Sequence, residues 1–148
     1  MQIIVDKNNG IPISQTNVPT GTRVYNNSFS APTAFGVNSF WAVNFNDATP
    51  VGTVIQNNVG YAPIDTLHKL VNEAVAQVNS YTASNNSTTA QTGATSPLWV
   101  TTPLAVVGDW YLQAGSYAKN AGTDVPVWSD FFGTTRSSGS MDIGATEQ

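Results

Sequence analysis

The sequence predicts an all-β chain wound as a short solenoid of about three coils, with one inserted α-helix and a C-terminal closing segment. Three observations lead there: an internal repeat ending in Asn-Asn, a composition in which Asn, Thr, Ser and Gln replace charge, and a change of texture after Asn86. The 148 residues suit one domain with one core. Within it, 1–63 and 80–96 read as coils, 64–79 as the helix and 97–148 as the closing segment.

The coils rest on the repeat. Val24-Tyr25-Asn26-Asn27-Ser28-Phe29 returns as Val54-Ile55-Gln56-Asn57-Asn58-Val59 and, more weakly, as Thr82-Ala83-Ser84-Asn85-Asn86-Ser87. The first two copies are each preceded by Gly-Thr, at Gly21-Thr22 and Gly52-Thr53. Asn accepts left-handed backbone and bonds its own main chain, so it suits a turn between short strands. One repeat cannot bury its own apolar face, whereas stacked repeats can. Stacking also brings equivalent residues together, and Asn26, Asn57 and Asn85 are expected to form a structural ladder, each amide donating to the next. Between the pairs, Phe40-Trp41-Ala42-Val43-Asn44-Phe45 is an aromatic and β-branched run that fits a pleated surface.

The helix rests on spacing. Leu67, Leu70, Val71, Ala74, Val75 and Val78 recur at helical intervals, and Asp65 or Thr66 is suited to cap the start. It is expected to cover a flank or an end of the solenoid, with His68 on its solvated side. After Asn86 comes a Ser/Thr/Gly/Ala-rich stretch, then short elements rich in turn residues and without repeat.

Composition excludes several functions. Only 9% of residues are charged, against about 25% in an ordinary domain. Five Lys and Arg in a chain of net charge −4 build no phosphate-neutralising patch, so no nucleic-acid partner is expected. With no Cys and one His there is no disulfide framework, thiolate site, His-based zinc site or Ser-His-Asp triad, and neither metal nor cofactor is expected. No apolar run reaches the roughly 18 residues of a membrane span. The first residues show no basic and apolar regions of a signal peptide.

The end of the chain carries an ordered series: Asp109-Trp110-Tyr111-Leu112-Gln113-Ala114-Gly115-Ser116-Tyr117-Ala118, then Asn120-Ala121-Gly122-Thr123, Asp130-Phe131-Phe132-Gly133, Arg136, and Asp142-Ile143-Gly144-Ala145-Thr146-Glu147. This series resembles the C-terminal end of right-handed parallel β-helix proteins of the pectate-lyase-like superfamily. Tyr117 stands where that pattern has proline, and Thr146 where it has an aromatic. The resemblance is strong from Asp109 onward and weak through the Asn-Asn coils. It implies a short right-handed parallel β-helix whose tail folds back along the outside and seals the last coil. It further implies turns at Gly115, Gly122, Gly133 and Gly144, an Arg136–Asp142 pair across the closing segment, and Trp110 and Trp128 packed against the last coil.

The resemblance specifies architecture better than activity. Lyases of that architecture need a base and charge-neutralising groups for the uronate, and hydrolases need paired carboxylates. The coil region offers Asp6, Lys7, Arg23 and Asp47, with Asp65, Lys69 and Glu73 on the expected helix. Arg23 beside Asp47 reads as a site remnant or as ordinary surface charge, and no catalytic residue is assigned. Asp124, Asp130, Asp142 and Glu147 read as parts of the closing segment. Aromatics are the stronger lead, because sugars stack on exposed Trp and Tyr while neutral side chains bond hydroxyls. Trp41, Tyr61 and Trp99 are the candidate carbohydrate-binding residues. The expected function is a non-catalytic extracellular or virion-surface module that builds an assembly and binds glycans. The alternative is a fragment or subunit of a polysaccharide lyase or glycoside hydrolase acting on acidic polysaccharide. A coil stack without a visible cap ahead of Ile3-Ile4-Val5 is expected to form a homo-oligomer, a trimer by analogy with spikes, or to dock on a larger chain, unless residues 10–20 close it.

Overall fold

The computed structural model describes residues 5–6, 11–12, 21–30, 41–45, 52–61, 69–73, 81–87, 97–99 and 107–148. It is mostly strand with almost no helix. Among the described residues nine strands follow one another: β1 (Val5–Asp6), β2 (Ile11–Pro12), β3 (Arg23–Tyr25), β4 (Ser28–Ser30), β5 (Trp41–Phe45), β6 (Thr53–Gln56), β7 (Val59–Tyr61), β8 (Lys69–Glu73) and β9 (Tyr81–Ser84). They form three three-stranded sheets, ordered β1-β4-β7, β2-β5-β8 and β3-β6-β9. Every pairing is parallel. The chain therefore visits the three sheets in one cyclic order, three times over, and each visit adds a strand.

The register follows the repeat. Arg23, Val24 and Tyr25 face Val54, Ile55 and Gln56, which in turn face Thr82, Ala83 and Ser84. The Asn pairs mark the corner between two sheets, since β3 ends just before Asn26 and β4 begins just after Asn27. The ladder continues round this corner: Val59 N donates to Asn27 O at 2.9 Å and Ser87 N to Asn58 O at 2.8 Å. Period-two alternation is visible in β6, where Thr53 and Ile55 are buried while Val54 and Gln56 are half-buried. Val24, Phe29, Ile55 and Val59 supply the coil core.

The expected helix over 64–79 is corrected by β8. Lys69–Glu73 pairs in parallel with Trp41–Phe45, matching Val71 to Val43 and Asn72 to Asn44. Short apolar runs satisfy helical and strand periods alike, and here the pairing partner decides. The rest of the predicted helix, with His68, lies outside the described residues, as do Asp47 and residues 13–20 and 88–96. Among the described residues the one helical element is a 3-10 turn, Val107–Trp110, and no helix is long and apolar enough to cross a membrane.

The tail runs lengthwise along the Asn corner. Ala145 N donates to Ser28 Oγ beside the first pair, Gly144 N to Asn57 O at the second, and Asn85 Nδ2 to Ala121 O at the third. A shared core of Val59, Trp99, Trp110, Leu112, Ala118 and Ile143 joins it to the coils. Gly144 lets the backbone come this close: its φ is +110°, and a Cβ there would lie 2.7 Å from Ser28 Oγ and 2.9 Å from Val59 Cγ1.

Candidate functional site

The two residues of each Asn pair divide the work. Asn26, Asn57 and Asn85 take left-handed backbone, with φ of 52°, 58° and 51°, which Asn tolerates better than most residues. The expected ladder through these three is displaced by one residue. Asn27 Nδ2 donates to Asn58 Oδ1 at 2.8 Å, and Asn58 Nδ2 donates to Asn86 Oδ1 at 2.9 Å. The same oxygens accept the backbone N–H of Asn27 and Asn58. Asn58, fully buried, also donates to Val24 O and Gln56 O.

Asn57 and Asn85 reach outward to the tail instead. Asn57 Nδ2 donates to Thr123 O at 2.7 Å and its Oδ1 accepts from Thr123 N at 2.9 Å, so one amide binds the tail main chain as a neighbouring strand would. Asn26 is fully buried, and neither of its amide atoms has a partner among the described residues.

The candidate carbohydrate-binding aromatics do not form a platform. Trp99 is buried and packs edge-on against Tyr61 at 5.9 Å and Trp110 at 5.0 Å. Tyr61 is half-buried in the same cluster. Trp41 begins β5, and its side chain lies outside the described residues. Arg23 is exposed and donates to the carbonyls of Gly21, Thr22 and Gly52.

The tail carboxylates serve the main chain. Asp130 Oδ1 accepts from Phe132 N and Thr134 N, and its Oδ2 accepts from Glu147 N. Asp142 accepts from Asn120 N and Gln148 N. Arg136 pairs with Glu147 at 3.0 Å, both buried, so the expected Arg136–Asp142 pair is corrected. Arg136 reaches Asp142 only through the backbone carbonyl at 3.4 Å, and its Nη2 donates to Gly144 O. Burial lowers the Arg136 pKa, opposed chiefly by the Glu147 charge. Burial raises the Asp142 carboxyl, opposed by the N–H groups of Asn120 and Gln148. No group of three or more His, Cys, Asp and Glu able to hold a metal occurs among the described residues.

Among the described residues Phe131 and Tyr117 are partly open to solvent, but the most exposed aromatic is Trp128, expected to be packed and instead 76% exposed. It lines a cleft of about 270 Å³ with Asp124, Val125, Pro126, Arg136, Ser138 and Met141. Val125 and Met141 are buried and make an apolar floor. The cleft is held from both sides. Val127 N donates to Val125 O across Pro126, and Arg136 N donates to Trp128 O in a tight hairpin bridged at Ser129 and Thr135. Gly133, at φ 89°, and the Asp130 carboxylate close that hairpin.

On the opposite wall, Asp124 Oδ2 accepts from Ser138 Oγ at 2.5 Å and Oδ1 from Gly139 N at 2.7 Å. These bonds, Gly139's first, hold the exposed carboxyl below the ordinary Asp range. The sequence signals this site only faintly: Pro126 cannot join a ladder interior, and Ser129 beside Trp128 is polar. No family model, no curated protein and no solved structure matches the chain.

Proposed function

We propose that this chain is a non-catalytic, surface-exposed module with the form of a short right-handed parallel β-helix, resembling the pectate-lyase-like superfamily in its tail, that builds an assembly and binds glycans. The cyclic order of three parallel sheets supports the β-helix, and crossovers between parallel strands are right-handed in nearly all proteins. The observation that carries the non-catalytic reading is the use of the tail carboxylates. Asp130, Asp142 and Glu147 are buried and each accepts at least two backbone N–H groups, which commits them to holding the tail main chain. Among the described residues no second carboxylate lines the cleft beside the exposed Asp124.

The setting is extracellular or on a virion surface, in keeping with neutral polar side chains in place of charge. The assembly reading rests on the outermost strands of the three sheets, which are the places where a further chain would add. Light scattering is expected to give a homo-oligomer, with a trimer at three times the chain's 15.7 kDa favoured; a chain purified alone that stays at 15.7 kDa removes the assembly reading. Incubation with neutral and uronate polysaccharides tests the rest. The expected result is retardation in glycan-containing gels with no new reducing ends and no absorbance of unsaturated products. Sustained turnover would replace this reading with that of a lyase or hydrolase subunit.

A further inference from the structure

We infer that the cleft between Trp128 and Asp124 is a binding site for an uncharged sugar bearing neighbouring hydroxyls, placed on the closing tail and not on the faces of the coils. The inference rests on the glycan-binding reading above and gives it an address and a ligand class. Trp128 is 76% exposed, and a ring left in water beside an apolar floor suits the C–H face of a pyranose. At about 270 Å³ the cleft lies just under the roughly 300–1,000 Å³ of sites for drug-sized ligands, room for one or two sugar rings.

Asp124 supplies the polar half. A carboxylate offers about four acceptor positions, and the bonds from Ser138 and Gly139 occupy two. Those bonds also fix the group, so a pair of hydroxyls meets acceptors already oriented, with little ordering left to lose on binding. A purely apolar ligand would bury this charge unpaired, which is costly. A uronate would bring a second negative charge to it. Arg136 on the cleft wall offers no compensation, since its guanidinium is neutralised by Glu147 and bonded to the carbonyls of Asp142 and Gly144. The chemistry therefore favours neutral hexoses over acidic sugars.

The test is a titration of the full chain, followed by Trp fluorescence and by glycan retention, with neutral hexose oligosaccharides and with oligogalacturonate. Trp128→Ala and Asp124→Asn are compared with the wild type after circular dichroism shows an unchanged fold. Trp128 is largely exposed, and an Asn at 124 can accept from Gly139 N and donate to Ser138 Oγ, so both variants keep their surroundings. The expected result is neutral-sugar binding weakened about tenfold by Trp128→Ala and partly kept by Trp128→Phe. Asp124→Asn should weaken it similarly and narrow the preference over oligogalacturonate. Neutral-sugar binding that survives both variants overturns this site while leaving the glycan reading intact. Stronger binding of oligogalacturonate by the wild type overturns the ligand class. No binding of either sugar overturns the glycan reading itself.

Discussion

At the scale of single residues, the Asn pairs show how one residue type does two jobs. The first Asn is chosen for backbone, the second for its amide. Asn58 stands in the middle of the amide ladder with neighbours on both sides, so Asn58→Ala removes the bonds of its amide to Val24 O, Gln56 O and Asn27 N from a buried corner. The expected loss is about 1–3 kcal/mol in urea unfolding, against a few tenths for the exposed Asn85→Gly, where glycine keeps the left-handed backbone. Equal effects would show that the ladder is not what holds the corner. The sequence exposed the spacing of the pairs but not the division within them, because both residues are Asn and only the left-handed φ separates them.

Asp142 adds a pH signature. Burial raises its carboxyl above the ordinary 3.8, so its protonated form suits the fold better than its ionised form. That contribution is full below the unfolded pKa and is lost as pH rises through the folded one. The stability of the wild type relative to Asp142→Asn should therefore decline as pH increases from about 4 upward. A difference that instead grows with pH would mean that Arg136 and the N–H groups of Asn120 and Gln148 outweigh burial.

At the scale of elements, legibility tracked how local the deciding force is. The strands flanking the Asn pairs were readable because their alternation and turn residues sit side by side in sequence. The segment around Lys69–Glu73 was not, since its apolar residues fit a helix and its strand state depends on β5, some 30 residues away, a long-range contact no local window contains. The tail was legible as a segment apart from the repeat but not in its pairing. Asp142 and Glu147 are both carboxylates near Arg136 in sequence, and only the path of the chain selects Glu147. Trp128 was misjudged for the same reason, because an aromatic in a motif reads as core until its hairpin is seen to turn outward. Far-ultraviolet circular dichroism tests the correction: a β-dominated spectrum is expected, with less helical signal than a helix over all of 64–79 would give. A contribution matching a helix over 64–79 would restore the original expectation and remove β8.

At the scale of the whole molecule, the fold is a cyclic repetition locked by a strap. The three sheets give the coils their stacking, while the tail spans all three Asn corners and shares a core with the second coil through Val59. So short a stack of parallel strands buries little on its own, and the strap adds apolar contact and bonds to corner groups along its length. The same strap carries the exposed Trp128, on a hairpin bonded between Arg136 N and Trp128 O and bridged at Ser129 and Thr135. Structure and proposed function thus meet in the closing segment.

The central claim is that successive repeats stack in parallel register, and a chain without cysteine allows a clean test. Gln56 and Ser84 are register partners whose side chains already meet at 2.8 Å, while Tyr25 is paired with Gln56 and lies one coil further from Ser84. In the double variant Gln56→Cys, Ser84→Cys, mild oxidation should give a rapid intramolecular disulfide with the spectrum unchanged, because adjacent strands lie within the roughly 4.4–6.8 Å that a disulfide spans. The variant Tyr25→Cys, Ser84→Cys should stay reduced under the same conditions. Failure of the first pair to close, or closure of both at equal rates, would contradict the stacked register.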